Sequence, residues 1–432
     1  MKRKHIILIL ATATLLAISY ISTKLRMLQT PVANRGQYSN QEITTGKSTD
    51  GMLGTTLVPM ITNSTKNERI NYHESEHTEE RLELNENVLR SEDGGISLAW
   101  DQHGNIETFY GWYPQELQNE LLSRYKNPCY MIDGKLYCLP YFFLAGMPKC
   151  GTTDIWSKIS QHPQVAAAQK EPHWWTRGMI KGSLKLRGYM YQRTINIRKE
   201  LVRARYDKKA TKMIVGDGSA STFWENLLWN KLPSMDKTPS TMKIIASILP
   251  NAKFIVSLRE PSNRMYSEYL AFQPTSKKSV TEYEQMVHEG ISLLRECFNR
   301  STQRECIFER QKRPKDYPFT RIRLSFYSVF VEEFLKYFSR DQLFLVRMED
   351  WQTSCKQILP QIYKFLELDP LPKSSIFPIC RQLSRHTNQH SYRIVGAQPY
   401  RIKQVIRNFV APFNEELANI MQDNRFLWDD VE

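Results

Sequence analysis

The stretch that decides the fold class is residues 141–156, which read YFFLAGMPKCGTTDIW. Its first five residues are apolar and predict a short buried strand. A turn bounded by Gly146 and Gly151 follows, and we expect a helix to begin at Thr152 or Thr153. A strand, a glycine turn and a helix in this order bring backbone N–H groups together at a helix N-terminus. The stretch therefore predicts an anion-binding loop.

The lysine of this loop is displaced from its position in nucleotide triphosphatases. The glycine spacing is that of a P-loop, in which the lysine directly follows the second glycine. Here Thr152 occupies that place and Lys149 lies within the loop. The difference argues against ATP or GTP hydrolysis, and a lysine at the loop apex suits a shorter group such as a phosphosulfate. A glycine turn with an ordinary surface lysine is the alternative.

Further apolar runs predict the rest of the sheet. Residues 253–258, after a turn at Pro250-Asn251, and residues 342–346 have the length and composition of buried strands, and apolar residues recur at helical spacing over 326–338. Strands that alternate with helices favour a parallel sheet. We predict an α/β fold with a P-loop-like parallel sheet flanked by helices.

A basic residue and a hydroxyl follow the second strand. Arg259 comes directly after it, Pro261 is expected to open a helix, and Ser267 lies eight residues after Arg259. A guanidinium at a strand end and a hydroxyl in the next helix can hold one phosphate by charge-assisted hydrogen bonds. An arginine after an apolar strand is also a common surface feature.

A third stretch, residues 170–175, reads KEPHWW. A carboxylate beside a lysine and a histidine could take the proton of a hydroxyl group, and the two indole rings could stack on sugar rings. The alternative is a loop salt bridge next to two core tryptophans.

The loop at 146–156 and the stretch at 259–269 resemble the 5′-phosphosulfate and 3′-phosphate motifs of the Golgi carbohydrate sulfotransferases, which use 3′-phosphoadenosine 5′-phosphosulfate. The resemblance implies donor binding by Lys149, Cys150, Gly151, Thr152, Thr153, Arg259 and Ser267. It also implies that Lys149, Glu171 and His173 are catalytic, with Glu171 as the base and Lys170 beside it. No cluster has metal-ligand spacing, and we expect no metal requirement.

The acceptor is indicated by further stretches. Residues 216–224 are similar to the branch of this family that sulfates the 6-hydroxyl of 4-sulfated N-acetylgalactosamine, and the C-terminal stretches 409–414 and 426–428 are similar to the end of the family. A packed terminal helix is the alternative for the latter. The resemblance covers residues 128–432 and implies a chondroitin or dermatan sulfate acceptor, with heparan sulfate as the alternative. The C-terminal nucleotide loop of the heparan-type enzymes cannot be mapped, because their Lys-Gly-Arg run is absent here.

The net charge also favours a polyanionic partner. The chain has 59 Lys+Arg against 45 Asp+Glu, a formal net charge of +14. Residues 177–212 hold twelve of the basic residues with two acids, and residues 381–407 hold six with none. Solvated helix faces are the alternative. The predicted acceptor-binding residues are Lys170, Arg177, Lys181 and Lys185, with Arg187 and Arg193 as further candidates.

The N-terminus predicts membrane attachment. Residues 6–23 carry no charge and follow Lys2-Arg3-Lys4, so they approach the length of a single membrane-spanning helix with a cytoplasmic N-terminus. We predict a cytoplasmic tail (1–5), a transmembrane signal anchor (6–23), a flexible stem (24–95) and a luminal sulfotransferase domain (96–432). A cleaved signal peptide is the alternative. Both place the domain beyond the membrane, in the Golgi lumen by the resemblance, which disfavours nucleic acid as the partner.

Cysteines and glycosylation sequons agree with a luminal domain. Asn63 and Asn299 begin N-x-S/T sequons. Six cysteines suggest the couples Cys129–Cys138, Cys297–Cys306 and Cys355–Cys380 and leave Cys150 over, although six allow fifteen connectivities. Two other classes of protein remain open: a membrane protein that binds glycans without turnover, and a nucleotide triphosphatase. The oligomeric state is not predicted.

Overall fold

The computed structural model describes residues 121–166, 168–179, 186–203, 208–226, 240–274, 278–308, 321–383 and 388–431. The predicted tail, anchor and stem, and residues 96–120 of the predicted luminal domain, lie outside these ranges. Within the described ranges, none of the helices has both the length and the apolar character that crossing a bilayer requires.

The centre of the fold is a five-stranded sheet in the order β4-β5-β3-β6-β7, with every neighbouring pair parallel. Its strands are β3 (Phe142–Gly146), β4 (Val165–Ala166), β5 (Ile214–Asp217), β6 (Lys253–Leu258) and β7 (Leu343–Arg347). An antiparallel hairpin of β1 (Cys129–Ile132) and β2 (Lys135–Cys138) precedes it. The predicted α/β class and parallel sheet are confirmed.

Helices cover both faces of this sheet. In chain order they are α1 (Thr152–Ile159), α2 (Leu186–Arg203), α3 (Lys208–Lys212), α4 (Thr241–Ile248), α5 (Pro261–Phe272), α6 (Val280–Phe298), α7 (Gln303–Phe308), α8 (Tyr327–Leu335), α9 (Met348–Phe365), α10 (Lys373–Arg381), α11 (Gln389–Val395) and α12 (Tyr400–Met421). Short 3-10 turns lie at Ile322–Ser325, Arg340–Gln342 and Asn424–Leu427, and a π-helical turn at Trp174–Gly178. Because both faces are covered, every residue of β3 is buried.

The strands and helices predicted next to the anion-binding loop are confirmed within one or two residues. The predicted strand at 141–145 is β3, the one at 342–346 is β7, and α1 begins at Thr152. The helical spacing over 326–338 corresponds to α8. The apolar residues before the Pro250-Asn251 turn lie in α4, where Ser240 Oγ accepts a hydrogen bond from Lys243 N at 3.2 Å and caps the helix.

The two central strands send their following helices to opposite faces. Ile155 and Ile159 of α1 pack in one core cluster with Trp351 of α9, whereas Met265 and Leu270 of α5 pack in the other. In open α/β sheets, a ligand crevice forms outside the carboxyl ends of two strands whose connections diverge in this way. The topology therefore places a cleft between the β3–α1 and β6–α5 connections.

The cysteine pairing suggested by spacing is present. Disulfides join Cys129 to Cys138, Cys297 to Cys306, and Cys355 to Cys380, and the remaining cysteine, Cys150, is a buried free thiol. The first bridge closes the β1–β2 hairpin, and the third ties α9 to α10.

Candidate donor-binding and catalytic site

A cleft of about 900 Å³ lies at the carboxyl ends of β3 and β6. It is lined by the β3–α1 loop with the start of α1, residues Glu171 and Ala220, one side of α5, the start of α9, and the C-terminal segment 388–403. Lys149, Gly151, Thr152, Thr153, Arg259, Ser267 and Glu171 are among its lining residues. The structure thus brings together seven of the residues that the sequence singled out.

The β3–α1 loop has the backbone shape of an anion cradle. Lys149 and Gly151 both hold left-handed φ angles, +66° and +75°. Gly151 caps α1, and a Cβ atom on it would lie 2.3 Å from Met348 Sδ, so this position requires glycine for both conformation and space. The first N–H groups of a helix have no partner within it, and they face the space beyond the N-terminus. In α1 that space is the cleft.

Cys150 fastens the loop instead of lining the cleft. Its N–H donates to Met147 O at 3.3 Å, and its carbonyl accepts a hydrogen bond from Ser257 Oγ at 2.5 Å. Burial raises the pKa of its thiol to about 12. A direct contact of Cys150 with the donor stays a prediction, and the structure shows its thiol inside the core.

Lys149 points its ammonium into the cleft beside an aromatic ring. Its Nζ lies 5.8 Å from the centroid of the Phe272 ring. Burial lowers the pKa of Lys149 below the ordinary lysine value, and the nearby carboxylate of Glu268 acts in the opposite direction. Partial desolvation strengthens the interaction of this ammonium with a bound anion.

Arg259 and Ser267 lie on the second strand–helix unit, as the sequence predicted. Arg259 Nη1 is 3.5 Å from Lys149 O, which links the β3–α1 loop to the segment that follows β6. The N-terminus of α5 is capped by Glu260, whose carboxylate accepts hydrogen bonds from Ser262 N at 3.2 Å and Asn263 N at 2.8 Å. The capped helix holds Ser267 at the cleft wall.

Sequence reasoning missed the opposite wall of the cleft, which the C-terminal segment forms. Its lining residues are Asn388, Gln389, Tyr392, Arg393, Ala397, Gln398 and Lys403. Asn388 bonds to Ser267, and Tyr266 Oη donates to Gly396 O at 2.6 Å. The basic run at 381–407 was the available signal, because it contains Arg393 and Lys403, but its composition alone does not distinguish a cleft wall from a solvated helix face.

Glu171 lines the same cleft as the β3–α1 loop. Its Oε2 accepts a hydrogen bond from Ala220 N at 3.0 Å, and its Oε1 contacts Lys170 Nζ. Glu171 and His173 hold φ angles of +59° and +51°, conformations that cost on the order of 1–3 kcal/mol each. The hydrogen bond from His173 N to Ser219 Oγ, at 2.8 Å, helps to hold this strained turn.

His173 stands behind Glu171 in a hydrogen-bonded chain. Its Nε2 is 3.2 Å from Glu171 Oε2, its Nδ1 is 2.7 Å from Ser221 Oγ, and Ser221 Oγ is 2.8 Å from Thr176 Oγ1. Burial and then the neighbouring Arg177 lower the pKa of His173, which favours the neutral ring. The Glu171 carboxylate can only accept, so it selects the neutral tautomer that carries the proton on Nε2, and Nδ1 then accepts from the Ser221 hydroxyl.

The two tryptophans are core residues, and the expectation that they stack on sugar rings is wrong. Trp174 and Trp175 are each 1% exposed. Trp175 Nε1 donates to Tyr189 Oη at 3.0 Å, and Tyr189 Oη donates to Asp217 Oδ2 at 2.6 Å. Through these hydrogen bonds and the burial of their rings, Trp174 and Trp175 anchor the Glu171 turn to α2 and β5.

The predicted acceptor-binding residues are dispersed. Lys170 contacts Glu171, and Arg177 Nε donates to Glu225 Oε2 at 2.5 Å. Lys181 and Lys185 lie outside the described residues. Arg193 is 1% exposed and donates to Gln169 O at 2.9 Å, so the prediction that it binds the acceptor is wrong. Arg187 pairs with Asp133 beside the β1–β2 hairpin.

Metal-ligating side chains do not gather in this region. The described ranges contain no group of three or more His, Cys, Asp or Glu side chains placed to hold a metal ion. Whether the reaction proceeds without a metal stays a prediction.

A strand–loop–helix turn of the type that binds phosphate, a basic residue at the end of the neighbouring strand and a carboxylate in the same cleft form an arrangement typical of α/β proteins that transfer groups from phosphorylated nucleotides. The profile described as the sulfotransferase family matches residues 140–372. The chain belongs to this family.

Two curated relatives and one solved structure illustrate the similarity. Carbohydrate sulfotransferase 15 of Mus musculus is 32% identical over 314 residues, 68% of this chain and 55% of that protein. The membrane-associated sulfotransferase kil1 of Dictyostelium discoideum is 21% identical over 362 residues, 70% of this chain and 69% of that protein. The crystal structure of a sulfotransferase from Alicyclobacillus acidocaldarius matches with a TM-score of 0.41 and 17% identity, over 66% of this chain and 97% of that one. The chain thus spans about half the length of the mouse relative.

Proposed function

We propose that this chain transfers a sulfuryl group from 3′-phosphoadenosine 5′-phosphosulfate to a hydroxyl group of a glycosaminoglycan. The observation that carries the proposal is the position of Lys149 and Glu171 in one cleft. A cation in a phosphate loop and a carboxylate facing it are the two groups that such a transfer needs: one for the leaving phosphate and one for the proton of the attacking hydroxyl.

The residues present fit the donor. The loop conformation at Gly151 leaves no room for a side chain and exposes the α1 N-terminus, which suits the 5′-phosphosulfate. Arg259 and Ser267 lie one strand away and suit the 3′-phosphate. We assign Lys149, Gly151, Thr152 and Thr153 to the first group, with Cys150 as the buried fastener of their loop.

The proposed reaction exchanges one S–O bond for another. Glu171 accepts the proton of the acceptor hydroxyl, whose oxygen forms a bond to sulfur as the bond from sulfur to the phosphate oxygen breaks. Lys149 and the N–H groups of the loop stabilise the negative charge that grows on the leaving phosphate. His173 does not line the cleft but orients Glu171, so its contribution is one of positioning.

The acceptor is proposed on chemical grounds and by similarity. The mouse relative is named a carbohydrate sulfotransferase, and the excess of basic residues suits a polyanionic glycan. The similarity of residues 216–224 to the chondroitin-specific branch favours the 6-hydroxyl of 4-sulfated N-acetylgalactosamine, with heparan sulfate as the alternative. The same stretch also contacts the proposed base and its neighbour, because Ala220 N donates to Glu171 Oε2 and Ser221 Oγ bonds to His173 Nδ1.

The cellular setting is a further part of the proposal. Three disulfides in the described structure suit an oxidising compartment, and Asn299 of one sequon is exposed at the end of α6. Both support a luminal catalytic domain, and the N-terminal sequence completes the proposal of a single-pass type II protein of the Golgi membrane.

The test is incubation of the purified chain with labelled donor and a panel of defined glycosaminoglycans, followed by disaccharide analysis. Sulfate should appear on 4-sulfated N-acetylgalactosamine at the 6-position. The variant Lys149→Ala should lose transfer, whereas Lys364→Ala, on an exposed part of α9, should retain it. Glycan binding without transfer by the wild-type chain on any acceptor would contradict the proposal and support a binding protein.

A further inference from the structure

Phe272 is an exposed aromatic residue at the reacting end of the cleft. It is the last residue of α5, lines the cleft and is 60% exposed, whereas the other aromatic residues of α5, Tyr266 and Tyr269, are 5% and 4% exposed. An exposed aromatic ring inside a cleft costs hydrophobic free energy unless a ligand covers it. We therefore expect a bound ligand to cover the Phe272 ring.

The ring is held by a structured cation network. Arg321 Cζ lies 5.1 Å from the centroid of the Phe272 ring and 5.4 Å from that of Trp224. The Arg321 guanidinium pairs with Glu268, which also accepts a hydrogen bond from Arg264 Nη1 at 2.8 Å. A largely buried guanidinium held in this way keeps the ring in one place, as a rigid recognition surface requires.

The ring also lies at the distance expected for an acceptor sugar. A sulfuryl group that accepts a hydrogen bond from Lys149 lies next to Nζ. The attacking oxygen of the acceptor approaches the sulfur to about 3–3.5 Å. The sugar that carries this oxygen must then lie a few ångströms further out, and the Phe272 ring centroid is 5.8 Å from Nζ. Ser267, on the 3′-phosphate side, is five residues earlier, about 7.5 Å along the helix.

We propose that Phe272 is the platform on which the sugar ring of the acceptor packs through its apolar C–H face. The ring of Phe272 and the charge of Lys149, which both line the cleft, together match a sugar that carries an acidic substituent: the apolar face rests on the ring and the acidic group faces the ammonium. This inference rests on the proposed function, because it assigns the acceptor side of the same cleft.

The test compares variants at this position in steady-state kinetics. Phe272→Ala should raise the KM for the glycan acceptor about 10-fold, and Phe272→Leu, which keeps apolar bulk without the ring, should also raise it. Phe272→Trp should stay within about twofold of wild type. Binding of 3′-phosphoadenosine 5′-phosphate, measured by calorimetry, should be unchanged in all three, which also reports that the variants are folded.

The matched control is Phe377→Ala. Phe377 is 40% exposed on α10 and has Lys356 Nζ 4.3 Å from its ring centroid, the same local chemistry away from the cleft. It should behave as wild type. An unchanged acceptor KM in Phe272→Ala, or a loss confined to nucleotide binding, overturns the platform. A wild-type chain that sulfates no glycan overturns the proposed function itself, so the two failures are distinguishable.

Discussion

Asn388 Nδ2 donates hydrogen bonds to both the side-chain oxygen of Ser267, at 3.0 Å, and its carbonyl oxygen, at 2.7 Å. The two residues are 121 positions apart in the chain. The contact joins the C-terminal wall of the cleft to α5 and fixes the Ser267 hydroxyl. Because Asn388 donates to that oxygen, the hydroxyl proton of Ser267 remains available for a phosphate.

Asn388→Ala should therefore weaken binding of 3′-phosphoadenosine 5′-phosphate about 2- to 10-fold, the effect of one or two hydrogen bonds worth about 0.5–1.5 kcal/mol. Titration calorimetry measures it. Ser391→Ala is the control, because Ser391 lies in α11, the helix that Asn388 precedes, and accepts from Lys278 Nζ at 3.0 Å without lining the cleft. Equal affinities for Asn388→Ala and wild type would show that the link does not orient Ser267.

The Ser221–His173 hydrogen bond should matter for turnover but not for binding. In Ser221→Ala the imidazole loses its hydrogen bond at Nδ1 and is held toward Glu171 less firmly, so kcat should fall about 3- to 10-fold while acceptor KM and nucleotide affinity stay constant. Thr222→Val is the matched control, since the buried Thr222 hydroxyl has no hydrogen-bond partner in the described part of the chain. A loss of nucleotide affinity in Ser221→Ala would instead indicate a structural role.

The same histidine sets an expected pH dependence. Burial and Arg177 lower the pKa of His173 from its ordinary value of 6.5, so the ring is neutral at pH 7 and gains a proton only below that value. If the neutral ring is the active form, the acid limb of the kcat profile attributable to His173 must lie below pH 6.5. In His173→Gln, which retains a donor toward Glu171, this contribution should vanish; an identical profile would contradict the assignment.

A comparison of two glycines distinguishes the cost of a left-handed φ angle from the cost of a steric clash. Gly134 and Gly151 have φ angles of +70° and +75°, but a Cβ atom meets nothing within 4 Å at Gly134 and meets Met348 Sδ at Gly151. Gly134→Ala should lower the free energy of unfolding by about 1–2 kcal/mol. Gly151→Ala should lower it further and also weaken nucleotide binding, and adding Met348→Ala should recover part of the difference. Equal losses in denaturant titrations of the two single variants would contradict this.

Thiol counting tests the disulfide pattern and the burial of Cys150. The chain has seven cysteines, six of them in disulfides. The unfolded, unreduced protein should show one reactive thiol per chain, and the native protein none, because burial raises the pKa of Cys150 to about 12 and the thiolate is the reactive form. Cys150→Ala should show none in either state. More than one thiol after unfolding would exclude three complete disulfides.

Much of the sheet and of the candidate donor site was predictable because it depends on neighbours in the chain. The strand that precedes Gly146, the helix that begins at Thr152 and the position of Arg259 after β6 follow from apolar runs, glycine conformations and a proline. Spacing also suggested the three disulfides. These features rely on local backbone preferences and on short loops, which a linear pattern records directly.

Burial was the quantity that local pattern could not supply. A Trp-Trp pair beside a carboxylate has the composition of a sugar-binding loop, yet Trp174 and Trp175 are both 1% exposed. Likewise, Arg193 belongs to a basic run, but α2 turns its side chain inward to Gln169 O. Which face of a helix is covered depends on segments far away in sequence, since packing is decided by the whole core.

The amino-acid sequence by itself specifies a parallel α/β sheet, and it predicts a phosphate loop with Lys149 at the apex and a carboxylate suited to act as a base. The folded chain adds the pairing of Ser267 with Asn388, the support of His173 by Ser221 and the exposure of Phe272 beside Lys149. The physical reason is the distance along the chain: backbone conformation is set over a few residues, whereas these contacts arise only when segments 48 residues apart, as for His173 and Ser221, or 121 residues apart, as for Ser267 and Asn388, pack together.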